Sequence, residues 1–186
     1  MREKINAIPL INVLFRIANA YVLKGHPTHF KVIAPLGDWL HRIGKNLLSS
    51  IIIGSTCAYI SKESYFPQDI ILSIFPSILG FGIGVFALLF ALPNEFIEKL
   101  RKSISESNGT SKITGPEMLV SDMAYPLLVY VSIMFLAVII KSTTTNEIGV
   151  YLASPLLIYG LTMSLELINS IFMTSSYMLI VRKKDK

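Results

Sequence analysis

Cysteine and the common catalytic motifs are what this sequence most clearly lacks. Cys57 is the only cysteine, so no disulfide can form within the chain. It lies in an apolar run, where a free cysteine usually acts as a small hydrophobic side chain. The sequence has no GxSxG, HExxH or GxxxxGK[ST] pattern, and its three histidines have no zinc-like spacing. We therefore expect no enzyme activity, no cofactor and no metal site.

Charged residues are also scarce. They make up 16% of the chain, whereas hydrophobic residues make up 52% and the mean hydropathy is +0.58. Soluble domains carry roughly a quarter charged residues, and here the charges cluster between long apolar runs. This pattern excludes an ordinary soluble domain. It predicts an all-α membrane protein with four transmembrane helices and additional amphipathic helices.

The clearest span covers residues 70–92, whose 23 residues include no charge. As a helix it reaches ~34 Å, enough for the ~30 Å hydrocarbon core of a bilayer. The other predicted spans are 46–60, 123–140 and 150–181, and Pro126 lies near the start of the third. The predicted organisation is an N-terminal amphipathic region at 1–44, a membrane domain at 45–181 that includes a loop at 93–121, and a basic tail at 182–186.

The basic residues predict an orientation. With both termini in the cytoplasm, fifteen of the 17 Lys and Arg residues lie inside, and only Lys62 and Lys141 lie outside. This asymmetry follows the positive-inside rule. It predicts a multi-pass membrane protein with both termini in the cytoplasm.

Two segments outside the spans have helical apolar periodicity. In residues 1–24, Pro9 predicts a regular helix that starts near it. This helix either packs on the bundle or lies on the inner leaflet of the membrane, and the two interpretations are compatible. In the loop, residues 94–104 predict an amphipathic helix that either docks a soluble partner or is only solvated. The charged residues proposed for docking are Glu95, Glu98, Lys99, Arg101 and Lys102.

The span at 70–92 has one face made of small residues, Ser73, Ser77, Gly80 and Gly84. Small side chains allow two membrane helices to approach closely. We expect this small-residue face to contact another helix, either within the chain or in a second subunit.

Glu166 is the one carboxylate well inside a predicted span, and Asn169 shares its helix face. An ionisable group in a membrane is costly and by default a functional candidate. Three interpretations remain open. Glu166 lines a polar constriction in an oligomer, holds neighbouring helices together by hydrogen bonds, or sits near the inner interface on a helix longer than the bilayer.

Residues 75–93 read FPSILGFGIGVFALLFALP. Together with the small size and the four spans, the pattern at Pro76, Ser77, Leu79, Gly80, Phe81 and Gly84 resembles the KwaA family, the membrane subunits of the Kiwa anti-phage defence system. This motif covers about a tenth of the chain. The resemblance implies a homo-oligomer of the bacterial inner membrane, in particular a tetramer, that senses phage attack at the envelope. It also implies a soluble cytoplasmic effector of the KwaB type, and it supplies no catalytic residues.

The sequence therefore leaves three alternative functions open. The first is a membrane sensor or scaffold in anti-phage defence, which contacts lipid, a second copy of itself and a soluble effector but not nucleic acid directly. The second is an immunity or superinfection-exclusion protein that acts alone. The third is a small ion-conducting oligomer with Glu166 at its constriction.

Overall fold

The computed structural model describes residues 9–61, 65–89, 116–143 and 146–184, together with residues 91, 94, 97, 98, 101 and 102. These residues form helices and turns, with no strand among them. The main helices are α1 (Pro9–Val22), α2 (Leu36–Ile60), α3 (Pro67–Leu89), α4 (Pro116–Thr143) and α5 (Asn146–Lys184). Helices α2 to α5 are long and apolar enough to cross a membrane, which confirms the prediction of four spans.

Helix α2 is longer than the predicted span at 46–60. It begins at Leu36 and passes through a π-helical stretch, Leu40–Gly44, before it continues as an α-helix. Its buried face consists of Ser50, Gly54 and Ala58. A Cβ at Gly54 would lie 2.5 Å from the backbone N of Pro155, so α2 and α5 approach backbone to backbone at this point. Two exposed hydroxyls of this helix donate back to its own carbonyls, Ser49 to Asn46 at 3.0 Å and Thr56 to Ile52 at 2.8 Å.

Helix α3 packs against α4 and α5. Its fully buried Phe75 ring stacks on Tyr130 of α4, with ring centroids 5.4 Å apart. A Cβ at Gly160 of α5 would lie 2.5 Å from the Phe75 ring, so the absent side chain leaves the space that the ring fills. The apolar core of the bundle lies between these three helices.

Helix α4 begins earlier than predicted. Residues 116–121, which we expected to belong to the loop, are helical, and Pro126 is an interior residue of the helix instead of lying near its start. Pro116 is the first described residue of α4, and a proline in the first turn of a helix loses no intrahelical hydrogen bond. Helix α5 has 39 residues and spans ~58 Å, so it exceeds the thickness of a bilayer.

Within the described residues, helix α1 covers Pro9–Val22 and packs on α4. It ends in a left-handed turn, where Lys24 has φ 54° and Gly25 has φ 70°. The Gly25 N–H donates to the Ala20 carbonyl at 2.8 Å, and a Cβ at Gly25 would lie 2.2 Å from the Glu117 carbonyl oxygen. Gly25 thus allows both the turn and the close approach of α4.

The outer surface of the bundle is rich in exposed large apolar side chains, among them Ile52, Phe81, Phe135 and Phe172. Soluble monomers rarely expose contiguous apolar surface on this scale. Together with the four long apolar helices, this surface indicates a multi-pass membrane protein.

Candidate functional site

Five polar or ionisable residues from four helices meet where α1 joins the bundle. We call Tyr21, Arg42, Asn46, Asp122 and Glu166 the polar cluster. At its centre, the Tyr21 hydroxyl donates to Oε2 of Glu166 at 2.6 Å. Nδ2 of Asn46 donates to Oε1 of the same carboxyl at 2.5 Å. Both Glu166 oxygens therefore have a donor from the same chain, one on α1 and one on α2.

The ring of Tyr21 is held on both sides. Tyr125 stacks on it in a nearly parallel orientation, with centroids 4.1 Å apart, and the Arg42 guanidinium carbon lies 4.3 Å from its centroid. Two groups this close to one centroid must occupy opposite faces of the ring. Cation–π and stacking contacts of this kind are each worth ~0.5–1.5 kcal/mol, so Tyr21 fixes α1 to both α2 and α4.

The phenol of Tyr21 remains protonated. Burial raises its pKa well above the usual range, and the hydrogen bond to the Glu166 carboxyl raises it further, while Arg42 partly opposes both effects. The neutral phenol is the form that can donate to a carboxylate. The Tyr21 hydroxyl is therefore able to donate to the Glu166 carboxyl throughout the physiological pH range.

Arg42 also pairs with Asp122 of α4, and about a sixth of each side chain is exposed, 17% and 18% respectively. Arg42 lies in the π-helical stretch of α2, an irregularity that often occurs at functional sites. The Asp122 carbonyl would normally accept from the N–H four residues later, but that residue is Pro126, which has none. Both helices thus depart from the regular α-helical hydrogen-bond pattern next to this ion pair.

Tyrosine hydroxyls extend the hydrogen bonds along α4 and α5. Tyr125 and Tyr159 share a hydrogen bond of 2.7 Å, and Tyr130 donates to Ser164 at 3.1 Å. A buried hydroxyl without a partner is costly. These pairs therefore fix the register between the two helices next to the polar cluster.

The contacts of Glu166 are those expected of a group that holds helices together by hydrogen bonds. Asn169 does not join the cluster, since it is exposed. The neighbour that does contact Glu166 is the buried Ser170, whose hydroxyl donates to the Glu166 carbonyl at 3.0 Å. Asn46, the partner of Glu166, stands at the start of the long apolar run of α2, so Glu166 lies at the depth where that run begins.

The small-residue face of α3 makes no close contact within the described part of the chain. Ser73, Ser77, Gly80 and Gly84 are exposed, and a Cβ at Gly80 or Gly84 would meet nothing within 4 Å. The glycine of α3 that packs is Gly82, where a Cβ would lie 2.4 Å from the side chain of Leu127. The predicted contact therefore stays a prediction for a second subunit.

The predicted docking residues are only partly described. Glu98, Arg101 and Lys102 are exposed, and Arg101 forms an exposed ion pair with Glu117 at the start of α4, at 2.6 Å. Glu95 and Lys99 lie outside the described residues. The Arg101 pair links the segment after α3 to α4.

Sequence reasoning found Glu166 but missed the other four members of the polar cluster. A signal was present in the spacing of polar residues. Arg42 and Asn46 are four residues apart, Asp122 and Tyr125 three, and Tyr159 and Glu166 seven, so each pair shares one helix face. The partners across helices are separated by up to 145 residues, and no spacing rule reaches that far.

The arrangement offers hydrogen bonds and fixed charge. Among the residues with known placement, no group of three or more His, Cys, Asp and Glu side chains could hold a metal ion. The cluster contains one guanidinium and two carboxyl groups, which couple α1, α2, α4 and α5.

Comparison with protein-family models, with curated proteins and with solved structures finds no match. The likeness to the KwaA family thus depends on the residues quoted above. The function has to be argued from the bundle and its polar cluster.

Proposed function

We propose that the protein is an inner-membrane sensor or scaffold subunit of an anti-phage defence system. It works as a homo-oligomer, in particular a tetramer, with a soluble cytoplasmic effector of the KwaB type. The observation that carries this proposal is the polar cluster. It couples α1, which lies outside the four spans, to the packing of three of them. A change in the bundle would therefore be transmitted to the surface where α1 lies.

The distribution of Lys and Arg residues supports the cytoplasmic orientation of the termini, which this function requires. With the termini and the loop after α3 in the cytoplasm, fifteen of the 17 Lys and Arg residues face inward. Helix α1, the Arg101–Glu117 pair and the end of α5 would then share the cytoplasmic side. A soluble effector would meet all three there.

The exposed small-residue face of α3 supports the homo-oligomer. Gly84→Leu should reduce assembly, because the larger side chain prevents close approach of a second α3. Gly37→Leu is the matched control, since a Cβ at Gly37 also meets nothing within 4 Å. Native mass spectrometry in detergent measures both variants. Equal oligomer content in the two would count against an interface at this face.

The defence function is tested by plating phage on cells that carry the gene with and without its neighbouring gene. We expect protection only from the pair. We also expect Glu166→Leu to abolish protection while the protein still accumulates in the membrane, because the variant loses both contacts of the carboxyl. Equal plaque counts with the complete operon across a broad phage panel would refute the proposal. Protection by the single gene would favour an immunity or superinfection-exclusion protein.

The alternative of an ion-conducting oligomer receives less support from the site. A constriction needs carboxylates that face a central axis, whereas both oxygens of Glu166 have partners within the chain. Planar-bilayer recordings of the purified oligomer separate the two functions. A conductance that disappears in Glu166→Gln would replace the sensor proposal with a channel.

A further inference from the structure

An apolar groove runs between α1 and the first turns of α4. One wall is the face of α1 that carries Val13, Ile17 and Ala20, and the opposite wall includes Val120 and Ala124. Its volume is about 480 Å³, within the ~300–1,000 Å³ of typical small-ligand pockets. Its mainly apolar lining suits an acyl chain.

The connector after α1 also lines the groove, through Gly25 in the left-handed turn and through Pro27. The side chain of Asn19 holds the connector that follows, because Nδ2 donates to the Val32 carbonyl and Oδ1 accepts from the Ala34 N–H, both at 2.9 Å. These two hydrogen bonds fix the connector beside the residues that line the groove.

The mouth of the groove carries charge. Two of its lining residues are ionisable, Arg16 on α1 and Glu117 on α4. The Glu117 carboxylate is already paired with Arg101, whereas Arg16 is exposed and forms no ion pair with any residue of known placement. Two guanidinium groups and one carboxylate leave a net positive charge at the opening.

We propose that this groove binds an anionic phospholipid, with an acyl chain between α1 and α4 and the phosphate at Arg16. Exposed apolar residues lead from the opening onto the outer surface, among them Val13 and Val120. A guanidinium can bind a phosphate through two parallel hydrogen bonds. Basic pockets beside membrane helices are known sites for anionic lipid headgroups. This site does not depend on the defence function.

The test is native mass spectrometry of the full-length protein in detergent, titrated with phosphatidylglycerol or phosphatidylcholine. We expect the wild type to retain phosphatidylglycerol at least ~5-fold more tightly, since one basic residue near a membrane surface contributes ~1 kcal/mol. Arg16→Gln should remove that preference. The control Lys45→Gln, an exposed cation at the same end of the bundle, should keep it.

A second pair of variants tests the acyl chain. Ala124→Leu fills the groove and should reduce retention of both lipids, whereas the exposed Ser55→Leu should not. Val13→Asp places a carboxylate at the exposed edge of the groove without disturbing buried packing, so it provides the same test if Ala124→Leu misfolds. Equal retention of the two lipids by the wild type would overturn the proposal. So would an unchanged preference in Arg16→Gln, or unchanged retention in Val13→Asp.

Discussion

The bundle is joined in two different ways. At Gly54 and Gly160 the helices approach closely because glycine has no side chain. The Pro155 backbone lies in the space next to Gly54, and the Phe75 ring lies in the space next to Gly160. Around Glu166 they meet through hydrogen bonds, an ion pair and stacked rings. The close packing at the glycines allows only one arrangement of the helices, so it determines the fold. The contacts of the polar cluster are directional and can be exchanged for water or for another donor, so the cluster can take part in a switch.

The largest expected effect comes from Gly54→Leu. Its Cβ would overlap the backbone of Pro155, which cannot move aside as a side chain can. We expect a loss of about 3 kcal/mol in the free energy of unfolding, measured by denaturation in mixed micelles. Gly37→Leu should leave stability nearly unchanged. Similar stability of the two variants would show that α2 and α5 are less tightly packed than described.

Arg42→Met is expected to have the next largest effect. It leaves Asp122 without its ion-pair partner in a site where 18% of the carboxylate side chain is exposed. Removing one partner of a fully buried pair costs ~3–5 kcal/mol, and the remaining solvent access reduces this to about 2 kcal/mol.

The double variant Arg42→Met, Asp122→Leu checks the cause. Because it also removes the carboxylate, it should be more stable than Arg42→Met alone. A double variant as unstable as the single one would show that the loss comes from the Arg42 contact with Tyr21.

Tyr21→Phe keeps the stacked ring but removes the hydroxyl that donates to Glu166. A hydrogen bond to a charged group contributes ~1.5–3 kcal/mol, and we expect a loss of about 1.5 kcal/mol. Tyr59→Phe is the control, because Tyr59 is 81% exposed. If both variants melt at the same temperature, the hydroxyl does not hold α1 on the bundle.

The smallest effect is expected at the opposite end of the bundle. Lys141 pairs with Asp69 at 2.8 Å, but both side chains are more than half exposed, 57% and 51%. Lys141→Gln should cost at most ~0.5 kcal/mol, and added salt should remove the difference. A larger loss would show that the contrast between the polar cluster and exposed ion pairs is overstated.

The number and nature of the helices could be predicted from the sequence because membrane spans must be long, apolar and helical. Their ends were less accurate. The first span was predicted to start at residue 46, yet the helix extends through Lys45 and Arg42 back to Leu36. Polar residues at the end of a span do not stop a helix when neighbouring helices supply partners, as Tyr21 and Asp122 do for Arg42.

The site was less predictable than the fold. Glu166 could be identified because a carboxylate is rare in an apolar run. Its partner Tyr21 could not, because a tyrosine in an amphipathic helix is ordinary and the contact depends on how α1 folds back onto α4. The sequence also could not show which glycines of α3 pack against other helices, because that too depends on how the helices are arranged. The motif pointed to Gly80 and Gly84, but Gly82 is the one that packs within the chain, and only the neighbours Leu127 and Leu167 distinguish it.

The length of α5 has a mechanical consequence. The helix continues 18 residues beyond Glu166, to Lys184, which corresponds to ~27 Å. A rigid rotation of α5 by ~10° about Glu166 would therefore move the Lys184 end by ~5 Å. A small rearrangement in the polar cluster would then produce a much larger displacement at the end of this helix.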